Sequence, residues 1–234
     1  FFFKQKTAYE IVDCDWSSDV CSSDLWNDRM LGLAMAIRGV PIPVIAKVNG
    51  WCMGGGHELA LWCDLVIASE KSMLGQTGAK VGACPTVGAT QYLPRIIGER
   101  LAREMIFLAR RFTAAEAEKI GLINKCVPED KLDEETLAWC ETIKGHSSQT
   151  IRMTKKSLNM ESDQLYGSWQ QGMELLAHVW GSEESLEGMN AFLEGRKPDF
   201  QKFRLRNKAA LEEYLDGFHR HLNAPPDMRN FPED

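Results

Sequence analysis

The sequence predicts an α/β fold in which short strands alternate with helices as stacked ββα units, followed by a helical C-terminal region. Three observations carry this. Largely apolar runs at 44–48 and 65–68 have strand length, glycine clusters punctuate the chain between them, and beyond Pro94 the apolar spacing becomes helical. A chain of 234 residues, 44% hydrophobic, suits one globular domain with a sizeable core. The formal charge of -6 weighs against nucleic acid bound through a general basic surface. No apolar run approaches the roughly 20 residues of a spanning helix, and no secretory signal pattern opens the chain. The expectation is a cytoplasmic protein with neither membrane nor nucleic-acid partner. The 7 cysteines are odd in number and form no CxxC pair, as expected of free thiols in a reducing compartment.

Taken in order, residues 1–25 lack a periodic apolar face, carry the near-repeat Ser17-Ser18-Asp19 and Ser22-Ser23-Asp24, and read as a non-native or artefactual leader. Trp26 to Arg38 places Met30, Leu31, Ala34 and Ile37 at helical spacing that ends at Gly39. Val44 to Val48 is a short buried strand, and a helix runs from about Gly56 to Cys63. Asp64 to Ala68 is a second strand, and Ser72 to Gly75 starts a third, with a glycine-rich loop after it. A helix is expected over Leu101 to Arg111, and Thr113-Ala114-Ala115-Glu116 is a capping box opening the next, which Gly121 stops. Pro128 closes a connecting strand. Helices follow at about 130–144, 149–160, 163–180 and after Ser182. Trp169, Met173, Leu176 and Trp180 share a stripe whose spacing points to packing. The division expected is a partial core over 26–125, a helical region over 126–203, and a helical extension with a loose tail over 204–234.

The chemistry centres on Gly54-Gly55-Gly56-His57-Glu58. Glycines allow unusual dihedrals and close approach to backbone N–H groups, and a helix N-terminus leaves those groups unpaired at the positive end of its dipole. Such a turn suits an oxyanion, and Glu58 lies close enough to move protons there. For the triple glycine alone, a glycine hinge packing a helix on a strand, with Glu58 as a first-turn charge, is the favoured explanation. Adjacent helical residues point about 100° apart, so His57 is expected to support the site rather than face it beside Glu58. Cys84 lies in the same loop region without a His-Asn or His-Asp partner pattern. Lys80 and Arg95 are phosphate-contact candidates, although a lone cation is more often a solvated charge.

These motifs carry a family resemblance. Ile42 to Gly50, Gly54 to Ala60 and Cys63 to Ala68 resemble the core motif of the crotonase (enoyl-CoA hydratase/isomerase) superfamily, and Gly75-Gln76, Gly82 to Pro85 and Gly88 to Gly98 its second signature. The likeness continues through Thr113 to Ala117, Gly121 to Ile123 and Val127-Pro128 to Glu187–Glu194, covering roughly 26–203. It implies a crotonase-like ββα spiral core, an acyl-CoA thioester substrate with coenzyme A as part of the substrate and no separate cofactor, and a homotrimer or dimer of trimers assembled through the C-terminal helices. It also implies a preceding segment with an Ala-Gly-Asp type loop that supplies a second oxyanion donor. No such motif occurs before Trp26, so the chain resembles the C-terminal two thirds of a member.

Residue by residue, Gly55 matches the oxyanion donor and Glu58 the first of the two glutamates that share a water in the hydratases. The second glutamate's position is Gly78, which speaks against a two-glutamate hydratase. Gly75-Gln76-Thr77-Gly78 with Lys80-Val81-Gly82 is closer to the dihydroxynaphthoyl-CoA synthase branch and its ring-cleaving hydrolase relatives. In that synthase, Gln76, Thr77 and Gly78 match residues around a bicarbonate, whereas Ala83 and Pro85 replace a serine and an aspartate and Ile106 a tryptophan. The implied catalytic pair is Glu58 and Gly55, with Gly54, Gln76, Thr77, Gly78, Ala83 and Pro85 against the substrate. The implied chemistry is hydration, isomerisation or hydrolytic ring opening of an enoyl or cyclic oxo acyl-CoA, by a lyase or C–C hydrolase. The alternatives are a catalytically silent crotonase fragment that oligomerises and, more remotely, a serine hydrolase of the related caseinolytic protease fold. The latter would need a nucleophilic serine where Ala83 and Pro85 stand.

Overall fold

The structure is a computed structural model that describes residues 2–4 and 20–222. The readings of 5–19 as leader and 223–234 as tail lie outside the described residues. Strand β1 (Phe2–Lys4) precedes helix α1 (Val20–Gly39), and β2 (Ile45–Val48), β3 (Trp51–Met53) and α2 (Gly55–Trp62) follow. Next come β4 (Leu65–Ser69), β5 (Met73–Gly75), α3 (Ala89–Ile97), α4 (Glu99–Phe107), β6 (Arg111–Thr113), α5 (Ala114–Lys119) and β7 (Lys125–Val127). The C-terminal part is α6 (Leu132–Lys144), α7 (Ser148–Ser162), α8 (Tyr166–Val179), α9 (Glu183–Leu193) and α10 (Gln201–Leu222).

From β2 to β5 successive strands alternate between two sheets. β1, β2, β4 and β7 form a parallel sheet in that order, with Ile45 opposite Leu65 and Ile67 opposite Lys125. β3, β5 and β6 form the other, where β3 runs parallel and β6 antiparallel to β5. The passes β2–β3–α2 and β4–β5–α3 each leave one strand in each sheet before a helix returns the chain, which is the expected ββα spiral. Because β2 and β4 have neighbours on both sides, their residues are almost wholly apolar and buried.

Several elements differ from the sequence reading. α1 begins at Val20, six residues before Trp26. β3 was hidden in the sequence because Trp51-Cys52-Met53 sits among glycines and is only three residues long. α3 starts at Ala89, inside what composition marks as a loop, and carries Pro94 within it. The N–H that Pro94 lacks would have bonded the carbonyl of Thr90, an exposed first-turn residue that water can serve. The helix expected to reach Arg111 ends at Phe107, since Ala109 takes a φ of 47° and turns the chain so that Arg111–Thr113 pairs with β5. The capping box stands as expected, with the Glu116 N–H donating to Thr113 Oγ1 at 3.2 Å and the Thr113 N–H to Glu116 Oε2 at 2.8 Å.

The main core joins the spiral to the C-terminal helices. Trp62 of α2 and Trp169 of α8 are buried with ring centroids 5.3 Å apart, and Tyr92 of α3 meets Trp169 edge-on at 6.0 Å. Met173 and Leu176 are buried below Trp169, so that stripe packs as its spacing indicated. A smaller cluster of Ile45, Ile67, Val127 and Leu132 lies between the parallel sheet and α6. α7 is tied to the end of α1 through polar groups. Buried Lys155 donates to the Ile37 and Ile42 carbonyls at 3.0 Å each and to Asp64 Oδ2 at 2.7 Å, and the Ile37 carbonyl is one that the C-terminus of α1 leaves unpaired. Asp64 also accepts the Val44 N–H at 2.7 Å, which fixes the entry to β2. Lys155→Met, which keeps the stem and removes the charge, is expected to lower stability by about 2–4 kcal/mol, because three acceptors lose one donor. The check is urea unfolding, with the midpoint lowered and the slope unchanged.

Candidate active site

The site is built where β3 gives way to α2. Gly54 occupies φ 54°, ψ −125°, a conformation that costs a residue with a Cβ, and its N–H donates to the Gly75 carbonyl at 3.0 Å. Its own carbonyl accepts the Glu58 N–H at 2.9 Å and closes the first helical turn. Gly55 opens α2, so its N–H has no partner within the helix. A Cβ built on Gly55 would meet nothing within 4 Å, which leaves room for a ligand over the turn.

α2 is buried from Gly56 to Trp62, and this places Glu58 in the interior with only 3% of its surface exposed. Its Oε1 accepts the Ala89 N–H, the first of α3, at 3.1 Å. Burial pushes the Glu58 carboxyl up to about 8, and the Ala89 and Val87 backbone N–H groups act the other way, but less strongly. The approach of α3 depends on Gly88, whose φ is 104° and on which a Cβ would lie 2.6 Å from Trp62 Nε1. Trp62 stands one turn beyond Glu58 on the same helix face, so the indole and the carboxyl meet the same loop.

His57 points elsewhere, as the 100° step requires. It is buried, and desolvation lowers its imidazole to about 4, so the ring is neutral at physiological pH. Its Nδ1 lies 3.2 Å from Gln76 Nε2, which also donates to the Gly54 carbonyl at 3.3 Å. Gln76 is thereby brought to the glycine turn, 1% exposed.

The remaining candidates follow along the loop. Gly78 accepts the Val81 and Ala83 N–H groups at 2.9 Å each, and a Cβ at Gly78 would lie 2.5 Å from the Ala83 carbonyl oxygen. Gly78 and Ala83 are therefore in contact, and no side chain fits at 78 without opening the loop. The Pro85 carbonyl accepts the Thr90 N–H at 3.3 Å at the start of α3. Thr77 faces a different space, a cleft of about 440 Å³ lined also by Lys80, Arg111, Arg196, Lys197 and Phe200. Burial raises the Cys84 thiol, the opposite of an activated nucleophile. Sequence reasoning missed the Ala89 backbone donor and the His57–Gln76 pair. The first requires knowing that α3 starts at Ala89, and the second joins residues from two elements that only the fold brings together.

A ββα spiral presenting a glycine turn and a buried carboxyl is the architecture of crotonase-type enzymes. The enoyl-CoA hydratase/isomerase family model matches residues 20–204, and the chain belongs to that family. Among solved structures it is similar to an enoyl-CoA hydratase from Mycobacterium avium subsp. paratuberculosis K-10, with TM-score 0.73 and 29% identity over 76% of this chain and 73% of that one. An enoyl-CoA hydratase from Bacillus anthracis gives TM-score 0.60 and 33% identity over 79% of this chain and 72% of that one. A methylmalonyl-CoA decarboxylase in complex with 2-nitronate-propionyl-CoA gives 0.66 and 30% over 75% and 68%. Among the described residues, no helix is long and apolar enough to cross a membrane.

The raised Glu58 carboxyl has a consequence for stability. Since Glu58 holds its proton more tightly folded than unfolded, its contribution is full below the ordinary carboxylate range and is lost as pH rises through about 8. Glu58→Gln is neutral throughout. It is expected to gain stability relative to the parent by up to about 1.4 kcal/mol per pH unit across that interval, as read from paired urea unfolding curves at pH 5, 7 and 9.

Proposed function

We propose that this chain acts on an acyl-CoA thioester through its enolate, with the thioester oxygen at the Gly55 N–H and Glu58 moving the proton at the α carbon. The observation that carries this is the pairing of an open helix-start amide at Gly55 with Glu58, the one buried carboxyl among the described residues, a single turn away. A backbone donor aimed at developing negative charge contributes a few kcal/mol to the barrier. A carboxyl shifted to about 8 is nearly matched to proton exchange at neutral pH. The substrate's phosphates would find the cleft with Lys80, Arg111, Arg196 and Lys197, where Thr77 faces the substrate from the loop side.

The closed position at Gly78 favours reactions needing one carboxyl. In hydrolytic ring opening, the Glu58 carboxylate takes a proton from the water that adds to the ring carbonyl, and the bond from the carbonyl carbon to the thioester α carbon breaks. The electron pair becomes the enolate, and protonated Glu58 returns a proton to that carbon. This suits the ring-cleaving relatives that Gly75-Gln76-Thr77-Gly78 resembles better than a two-carboxylate hydration or the synthase's ring closure. Gly78, Ala83 and Pro85 then form the wall on the acyl side, with Gln76 buried behind it. Exposed apolar residues on the C-terminal helices, including Met153, Leu158, Met160, Leu175 and Leu193, support assembly as a homotrimer or dimer of trimers. Light scattering is expected to give three or six times the 26.4 kDa chain mass.

The test offers 2-oxocyclohexane-carboxyl-CoA and crotonyl-CoA to the chain and to Glu58→Gln, following turnover and α-proton exchange in deuterium oxide. The cyclic thioester is expected to be opened and crotonyl-CoA to be hydrated far more slowly. Glu58→Gln should lose about 10²–10⁴-fold. Exchange by the carboxylate form should rise with pH and level off above about 8. If no thioester exchanges or binds while the oligomer forms, a silent assembly is the correct description.

A further inference from the structure

We infer that Gln76 and His57 are positioning residues that hold the Gly54–Gly55 peptide so that the Gly55 N–H faces the open side of the turn. This rests on the role proposed above for Gly55. In a planar trans peptide the carbonyl of one residue and the N–H of the next point in opposite directions, so whatever fixes the Gly54 oxygen fixes the Gly55 hydrogen. Both residues are glycines, and no side chain of their own resists rotation of that peptide. The restraint comes from the hydrogen bonds that the Gly54 oxygen accepts, from the Glu58 N–H at 2.9 Å and from Gln76 Nε2 at 3.3 Å. The turn is pinned on its other side by the residue before Gln76, since the Gly75 carbonyl accepts the Gly54 N–H at 3.0 Å.

Gln76 could present either end of its amide to Gly54, and His57 decides which. In the tautomer that carries its proton on Nε2, the imidazole, with Nδ1 3.2 Å from Gln76 Nε2, accepts one hydrogen of the NH₂ group and leaves the other for the Gly54 carbonyl. Turned over, the amide would set Oε1 against the Gly54 oxygen, two acceptors face to face. In the observed orientation Gln76 Oε1 is buried without a partner among the described residues, so this amide is an expensive way merely to fill space. Its two Nε2 contacts account for its presence.

The test compares Gln76→Met, which keeps length and loses the donor, His57→Leu, which loses the acceptor, and His57→Asn, whose amide oxygen falls where Nδ1 was. Two readouts are taken on the full chain, kcat and KM for thioester α-proton exchange and the Gly55 amide resonance in protein labelled with ¹⁵N-glycine. A contact that orients a transition-state donor should lower kcat and leave KM nearly unchanged. Gln76→Met and His57→Leu are expected to lose about 10–100-fold in kcat, less than the 10²–10³ of deleting such a donor outright, and to shift the Gly55 resonance. His57→Asn should keep both near the parent. Equal losses in His57→Asn and His57→Leu, or a Gly55 resonance unmoved in Gln76→Met, would overturn the inference. If the parent exchanges no thioester proton, the proposed function falls, and the resonance alone still decides whether Gln76 orients this peptide.

Discussion

Glu58 is carried into the interior by a helix that has no solvent side. From Gly56 to Trp62 every residue of α2 is buried, so an acid in its first turn must either lose its charge or find donors. It does some of each. The Ala89 N–H at the start of α3 holds one oxygen, while desolvation keeps the proton bound to about pH 8. Neighbouring features follow from that contact. α3 must begin at Ala89 and must lie against α2. Trp62 therefore has to rest on the backbone of Gly88, where a Cβ would lie 2.6 Å from its indole nitrogen.

The remainder of the fold holds this contact still. Trp62 is pressed from the other side by Trp169, so α8 of the C-terminal region braces the helix bearing the acid. Lys155 and Asp64 bind α7, the end of α1 and the start of β2 into one joint, and β2 leads into the strand and turn that open α2. Glu187 gathers the segment after α9, accepting from Arg196 at 2.6 Å and from the Asp199 N–H at 2.8 Å. Arg196, paired with Glu187 and Glu194, and Lys197 thus stand on a braced turn at the cleft.

Much of the fold was legible because its signals are local. The apolar runs of β2 and β4, the Thr113 capping box, the start of α9 after Ser182 and the buried stripe on α8 each depend on residues a few positions apart. β3 and α3 escaped for a shared reason. Trp51-Cys52-Met53 is too short to show a period, and Gly88 and Pro94 are loop signals in composition. As a strand, β3 exists because β5 pairs with it. α3 is a helix because Tyr92 and Leu93 bury against α2 and α8, which outweighs the proline. The early end of α4 had no sequence signal, since it rests on a left-handed Ala109 that the pairing of β6 with β5 maintains.

At the site the division is similar. By itself the sequence determined the chemistry at hand: a glycine turn, one acid a turn beyond it, and at position 78 a glycine instead of a second acid. Those properties belong to residue types and short spacings, and no packing alters them. The tertiary structure decided what the groups can do. A carboxyl titrates near 8 only when neighbouring elements remove its water, and Gln76 reaches Gly54 only because β5 lies beside β3. His57 carries no charge because burial keeps it neutral, which leaves one ring nitrogen able to accept a hydrogen bond. Desolvation and hydrogen-bond direction are sums over neighbours distant in the chain, so they exist only once the chain has folded.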